Sequence, residues 1–290
     1  MKQGKYTQRK KRAPLWYYIL LLILGAVFVG CAWYLADYYI GSQQQAGEYD
    51  DLAAIVDAAR PAVPDATTPE MDAPNATAPT GGEQSQLPPN PVLNQVNEDG
   101  ILLEYAPLYA MNSDMAGWLY IEGTKINYPV MQTPDRTDYY LERNFKGQYS
   151  AWGCIYAREV CDLEEPSDNI TLFGHNMKDG SMFAGLHAYM DREFWEEHPY
   201  IQFDTLSEHH TYKIFAVFRT TATKNKGFEY HEFVDARDEI DFDTFVSKCL
   251  SLSLYGTDIV PEYGDKIICL STCEYSQTNG RLVVAAVRID

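Results

Sequence analysis

Three regimes of hydrophobic patterning divide the chain. Residues 15–40 are almost wholly apolar or aromatic, broken only by Asp37 near their end. Residues 41–96 hold almost no large apolar side chains and are punctuated by Pro61, Pro64, Pro69, Pro74, Pro79, Pro88, Pro89 and Pro91. From about residue 97 short apolar runs separated by turn formers take over, the pattern of strands with a few intervening helices. Runs at 117–121, 126–131, 153–157 and 170–173 predict strands, and 201–220 predicts a hairpin with His209 and His210 in its turn. Residues 105–115 predict a helix. Met182, Leu186, Met190 and Phe194 recur at steps of four and predict another over 182–195. Residues 238–252 carry the same signature in Ile240, Phe242, Phe245, Val246, Cys249 and Leu250, with acids near the start, where the helix dipole favours them. Residues 47–60 form a weaker helical candidate. Finally, 266–273 and 281–289 predict two strands joined by a turn-rich segment ending in Asn279-Gly280, a hairpin-like return. No internal repeat is evident.

The first regime is long enough to span a bilayer, which takes about 20 apolar residues. Trp16, Tyr17 and Tyr18 at one end and Trp33, Tyr34, Tyr38 and Tyr39 at the other resemble interfacial belts. Lys2, Lys5, Arg9, Lys10, Lys11 and Arg12 precede it with no acid among them. That order predicts a basic cytoplasmic tail over 1–14, an uncleaved signal anchor in the lipid bilayer over 15–40, and the C-terminal part outside. The rival, a cleaved leader, has only Val29-Gly30-Cys31 as a faint lipoprotein-type site. The second regime, 41–96, predicts a disordered or extended spacer, because it cannot bury enough apolar surface to fold. As a coil its root-mean-square span is roughly 40 Å.

Charge follows the same division. Of 41 acidic residues only Asp37 precedes residue 41, whereas six of the 23 cations do, so residues 41–290 carry a net charge of about −23. So negative a surface excludes nucleic acid and anionic lipid as partners of the outer part. Five cysteines lie there: Cys154, Cys161, Cys249, Cys269 and Cys273. A domain of about 190 residues builds its core without staples, so reduced, buried thiols are expected; were two disulfides to form, the odd thiol should be Cys273.

The chemistry concentrates at strand ends. Cys273 closes the run at 266–273, Arg281 opens the next, and His175 follows the run at 170–173 in Gly174-His175-Asn176-Met177. A thiol, an imidazole and a guanidinium are the parts of a cysteine transpeptidase, and a rigid sheet can hold three distant residues at one point. With ordinary titration roughly 3% of Cys273 would be thiolate at pH 7 and roughly 25% of His175 imidazolium, leaving about 1% in the ion-paired form. Arg288 competes with Arg281 for the guanidinium role. The two are seven apart and face opposite sides of a regular strand; Arg281 is nearer the cysteine. Ser271 and Thr272, beside the thiol, are candidate substrate contacts. No Cys-x-x-Cys pair, no zinc helix motif after His231-Glu232 and no glycine-rich phosphate loop is present, which favours chemistry without a cofactor.

The segment 174–183, together with Leu270-Ser271-Thr272-Cys273 and the following Arg281, resembles the sortase family, class B most of all. The similarity covers about 98–290 and includes the segments 117–121 and 123–130. The resemblance implies a mostly β fold with added helices, a closed eight-stranded barrel, over a catalytic domain at 97–290. It implies a bacterial surface location, a long helix between the sixth and seventh strands, and His175, Cys273 and Arg281 as catalytic residues. It also implies cleavage of a sorting motif at a threonyl bond through a thioacyl intermediate. The partners would be surface proteins or pilins bearing that motif, and an amine of a cell-wall precursor or a pilin lysine. One departure is visible: Tyr275-Ser276 stand where some class B members carry a further acid. The alternatives are a cysteine peptidase that mainly hydrolyses and a non-catalytic surface-binding module.

Overall fold

The computed structural model describes residues 15–61 and 95–290. The expected basic tail at 1–14 and residues 62–94 of the expected spacer lie outside the described residues. Two compact units divide the chain, the first ending at Glu48 and the second being Tyr49–Asp290. A single long helix, α1 (Leu15–Ala59), begins with the apolar run. Among the described residues it is the one helix long and apolar enough to cross a membrane.

This helix runs past residue 40, so the stretch expected as spacer begins as helix, as the weaker candidate at 47–60 anticipates. It continues to Ala59 and stops only before Pro61, which cannot extend a helix that needs its N–H. Within the second unit Tyr49, Leu52 and Val56 are almost fully buried in the main core. The Tyr49 hydroxyl donates to the Gly153 carbonyl at 2.9 Å, and its ring meets Tyr128 edge-on. The spacing 49, 52, 56 is a helical face, so the first part of the 41–96 stretch is an amphipathic helix rather than spacer.

Eight strands close into a barrel: β1 (Met115–Tyr120), β2 (Asn127–Met131), β3 (Ile155–Ala157), β4 (Asn169–Phe173), β5 (Tyr200–Thr205), β6 (Thr211–Thr221), β7 (Ile267–Glu274) and β8 (Gly280–Arg288). Their order round the barrel is β1-β2-β3-β4-β7-β8-β6-β5, with β5 returning to β1. The β2–β3 and β4–β7 pairs are parallel and the others antiparallel. Strand parity sorts β8 onto two cores. Leu282, Val284 and Ala286 join the main core, whereas Val283, Ala285 and Val287 face a second cluster. A strand buried on both faces reads as a continuous apolar run, which is the run seen at 282–287.

The second core lies under α4 (Glu239–Leu252). Asp238 caps this helix by accepting from the Asp241 amide at 2.9 Å. Phe242, Phe245, Val246 and Cys249 are buried against Phe215, Phe218, Cys269 and Ala285. Ile240 belongs to the sequence pattern but is 77% exposed.

Two other helices are shorter than the pattern predicts. α2 covers only Ala106–Met111. It ends because Asn112 takes an extended backbone and its amide donates to the Tyr140 hydroxyl and the Phe145 carbonyl, freeing the chain to start β1. Over 182–195 the steps of four give way to a 3-10 helix, Phe183–Met190, with Phe183, Leu186 and Tyr189 buried at steps of three, the 3-10 period. Asp191 then breaks the run and caps α3 (Arg192–Glu197) through the Glu193 amide.

The parity of α4 gives a stability test. Phe242→Ala should cost about 3–5 kcal/mol in urea unfolding, because it opens a cavity in a closed core. Ile240→Ala, on the solvent side, should stay within about 0.5 kcal/mol of the parent.

Candidate active site

β7 lies between β4 and β8, and its register places the three expected groups. Across the antiparallel pair Cys273 stands directly opposite Arg281, with Thr272 opposite Leu282 and Glu274 opposite Gly280. Opposite residues in such a pair have Cβ atoms about 5 Å apart and share a face. That face carries Ile267 and Cys269 on β7 and Val283, Ala285 and Val287 on β8, the outer side of the barrel. Arg288 has the parity of Leu282, Val284 and Ala286 and sits at the far strand end, its Nε 3.8 Å from the Asp290 carboxylate. Parity therefore separates the two arginines as expected.

On the other side β4 runs parallel to β7, with Phe173 level with Ser271. The pairing continues past the strand, since the Gly174 amide donates to the Ser271 carbonyl at 3.2 Å. The Thr272 hydroxyl donates to the Gly174 carbonyl at 2.8 Å. His175 follows two residues beyond Phe173, on the loop whose Asn176 side chain donates to the Cys273 carbonyl. A Cβ at Gly174 would come within 2.5 Å of Ile155 and 2.8 Å of Phe183, so only glycine passes this point.

All three side chains are half-buried. His175 Nε2 lies 2.8 Å from the Leu141 carbonyl oxygen. A carbonyl only accepts, so Nε2 carries a proton there and Nδ1 is the nitrogen left for proton exchange. Arg281 Nη1 donates to the Gly280 carbonyl at 3.0 Å, and its charge is felt at Tyr156, Tyr230 and His231. Burial, then Arg158, holds the His231 imidazole below its usual range and favours its neutral form.

The other thiols of the second unit differ from Cys273. Cys154, Cys161, Cys249 and Cys269 are buried, and like Cys273 none of them forms a disulfide. Burial pushes Cys161, Cys249 and Cys269 up, which keeps them as inert thiols.

Ser271 and Thr272 are placed as bracing residues of the strand rather than as open contacts. They are 1% and 2% exposed. The Ser271 hydroxyl pairs with the Tyr230 hydroxyl, and Thr272 is committed to Gly174 as above. Burial pushes the Tyr230 phenol up to about 12, so it is a neutral partner.

Several groups at the site left little trace in the sequence. Asn176 Nδ2 donates to the Cys273 carbonyl at 3.1 Å. His187, on the 3-10 helix, brings Nε2 to 2.9 Å from Asn176 Nδ2 and 3.1 Å from the same carbonyl. Glu274 follows the cysteine directly. Its carboxylate is held below the usual range, despite the opposing effect of burial, by the Ser276 hydroxyl at 2.6 Å and amide at 2.9 Å. Only Glu274 and Asn176 could have been found by adjacency. Among the described residues no group of three or more His, Cys, Asp or Glu side chains is placed to hold a metal ion.

Removing the Ser271 hydroxyl strands the buried Tyr230 hydroxyl. Ser271→Ala should lower stability by about 1–3 kcal/mol in denaturant titration.

Known proteins match this fold and this site. The description "Sortase domain" fits residues 119–289. Sortase B of Listeria monocytogenes is 37% identical over 183 residues, covering 62% of this chain and 72% of that protein. Among solved structures, sortase B from Bacillus anthracis in complex with AAEK1 is similar with a TM-score of 0.66 and 28% identity, over 87% of this chain and 99% of that one. The Staphylococcus aureus sortase B–substrate complex gives 0.59 and 31%, over 64% and 85%. The match spans more than half of the chain and takes in the strands that carry Cys273 and Arg281: the chain belongs to the sortase family of cysteine transpeptidases, and within it is most similar to class B.

Proposed function

We propose that this chain is a membrane-anchored transpeptidase that cleaves a sorting motif at a threonyl bond and transfers the surface protein to an amine of a cell-wall precursor or a pilin lysine. The observation that carries the reading is the pairing of Cys273 with Arg281 on one face of the β7–β8 ladder, with His175 two residues past the end of the neighbouring β4. Cys273 attacks the threonyl carbonyl as thiolate, and the C–N bond breaks to leave a thioacyl enzyme and a free amine. His175 protonates that leaving amine and then takes a proton from the incoming one, which attacks the thioester and regenerates the thiolate. Arg281 donates to the carbonyl oxygen as it gains charge.

The setting suits a substrate held near a bilayer. Residues 15–40 cross the membrane with the 1–14 tail cytoplasmic, and the catalytic domain stands outside. The surface charge gives nucleic acid no purchase.

Full-length protein in detergent should form a thioacyl adduct with a library of sorting pentapeptides, visible by mass spectrometry, and release transpeptidation product when an amine is added. Cys273→Ala should abolish both; a variant still active at the parent rate would sink the proposal. Arg281→Ala should lower kcat/KM by about 10²–10³, and Arg281→Lys should recover only part, since an ammonium lacks the planar fork. Water-only products at saturating amine would identify a peptidase instead.

A further inference from the structure

The His187 imidazole touches the nucleophile's own backbone without belonging to the expected catalytic set. Its Nε2 is 3.1 Å from the Cys273 carbonyl oxygen and 2.9 Å from Asn176 Nδ2, and Asn176 Nδ2 is itself 3.1 Å from that oxygen. Three polar atoms thus form a closed triangle at the last residues of β7. Asn176 directly follows His175, so the triangle also ties the histidine-bearing loop to the cysteine-bearing strand. That loop is pinned further by the Phe183 amide donating to the His175 carbonyl at 2.9 Å and by the bridge between Asn176 and Met182.

Hydrogen counting gives the triangle two arrangements. Asn176 Nδ2 has two hydrogens, one for the Cys273 carbonyl and one for His187 Nε2, which must then offer a lone pair and carry its proton on Nδ1. When His187 is doubly protonated, Nε2 donates to the Cys273 carbonyl itself, and the Asn176 amide must turn its oxygen toward the ring. The carbonyl keeps a donor in both, but only the second puts a positive charge beside the cysteine. The ionisable groups on the elements that meet here are Cys273 and Glu274 on β7, His175 beside Asn176 in the loop, Arg281 opposite Cys273 on β8, and Arg219 near the end of β6. Both Arg219 and His187 act electrostatically on Glu274.

We infer that His187, with Asn176, is a positioning residue for the nucleophile: it fixes the Cys273 carbonyl in register with the His175 loop and, when protonated, supports the thiolate. This rests on Cys273 being the nucleophile. It assigns the pair no contact with substrate.

The test needs no sorting motif. Alkylation of Cys273 by iodoacetamide is followed across pH 5.5–9 in full-length protein, by mass spectrometry of the peptide containing Cys273, because Cys31 is also exposed. His187→Ala should slow Cys273 alkylation about tenfold at alkaline pH, through lost positioning, and by more as the pH falls, because the charge is lost as well. His187→Gln places an amide near the former Nε2 but does not titrate. It should restore the alkaline rate and fall progressively behind the parent as the pH drops, where only the parent side chain can take up a proton. Asn176→Ala should resemble His187→Ala. Parent-like rates and profiles in both His187 variants would overturn the inference. So would equal losses in the Gln and Ala variants accompanied by a lowered Tm, which would mark His187 as packing alone. A Cys273 that resists alkylation in the parent would instead overturn the proposed function.

Discussion

The ladder of β7 between a parallel β4 and an antiparallel β8 is the constraint on which the rest of the site depends. β4 sets the height at which His175 leaves the sheet, and β8 sets Arg281 opposite Cys273. Because side chains alternate with a period of two, a slip of one residue in β7 would send Cys273 into the barrel interior and bring Thr272 or Glu274 into its place. Such a slip is opposed on both faces at once. The inner face fits the main core through Leu270, and the outer face fits α4 through Ile267 and Cys269.

Burial on both faces also decides which sulfur can react. The same strand carries Cys269 and Cys273, four residues apart and on one face. Cys269 is sealed under α4 with its thiol pushed far up, whereas Cys273 emerges where that cover ends and is half-exposed. The reactive position is thus set by how far α4 and its second core extend along the sheet. The buried hydroxyl pair Tyr230–Ser271 lies at this margin and closes the polar end of that core.

The elements that read true from sequence are those whose period matches what they pack against. α4 has one buried stripe and a capping aspartate, and the β7–β8 hairpin has an Asn-Gly return with Asn279 in the left-handed region. Two stretches misled. Over 182–195 the step of four pointed to one helix, but a buried step of three won because Phe183, Leu186 and Tyr189 all reach the core in a 3-10 winding. Over 41–59 the spacer expectation covers a helix that the weaker candidate at 47–60 catches in part, with Tyr49, Leu52 and Val56 as its buried stripe.

The sequence by itself determined the residue types, the strand parity that divides Arg281 from Arg288, and the neighbourhood of Cys273 with its hairpin partner. These are local properties, carried by repeat periods and turn chemistry within about 25 residues. Tertiary structure alone decided that β4, which leads to His175, lies beside β7, which carries Cys273 98 positions further along the chain, through a parallel pairing that no local pattern encodes. It also decided that Ser271 and Thr272 are buried, the first under Tyr230 and the second against Gly174, and that Asn176 and His187 converge on the Cys273 carbonyl. The reason is barrel closure: only when β5 returns to β1 are the rims fixed, and side chains distant in sequence share one rim.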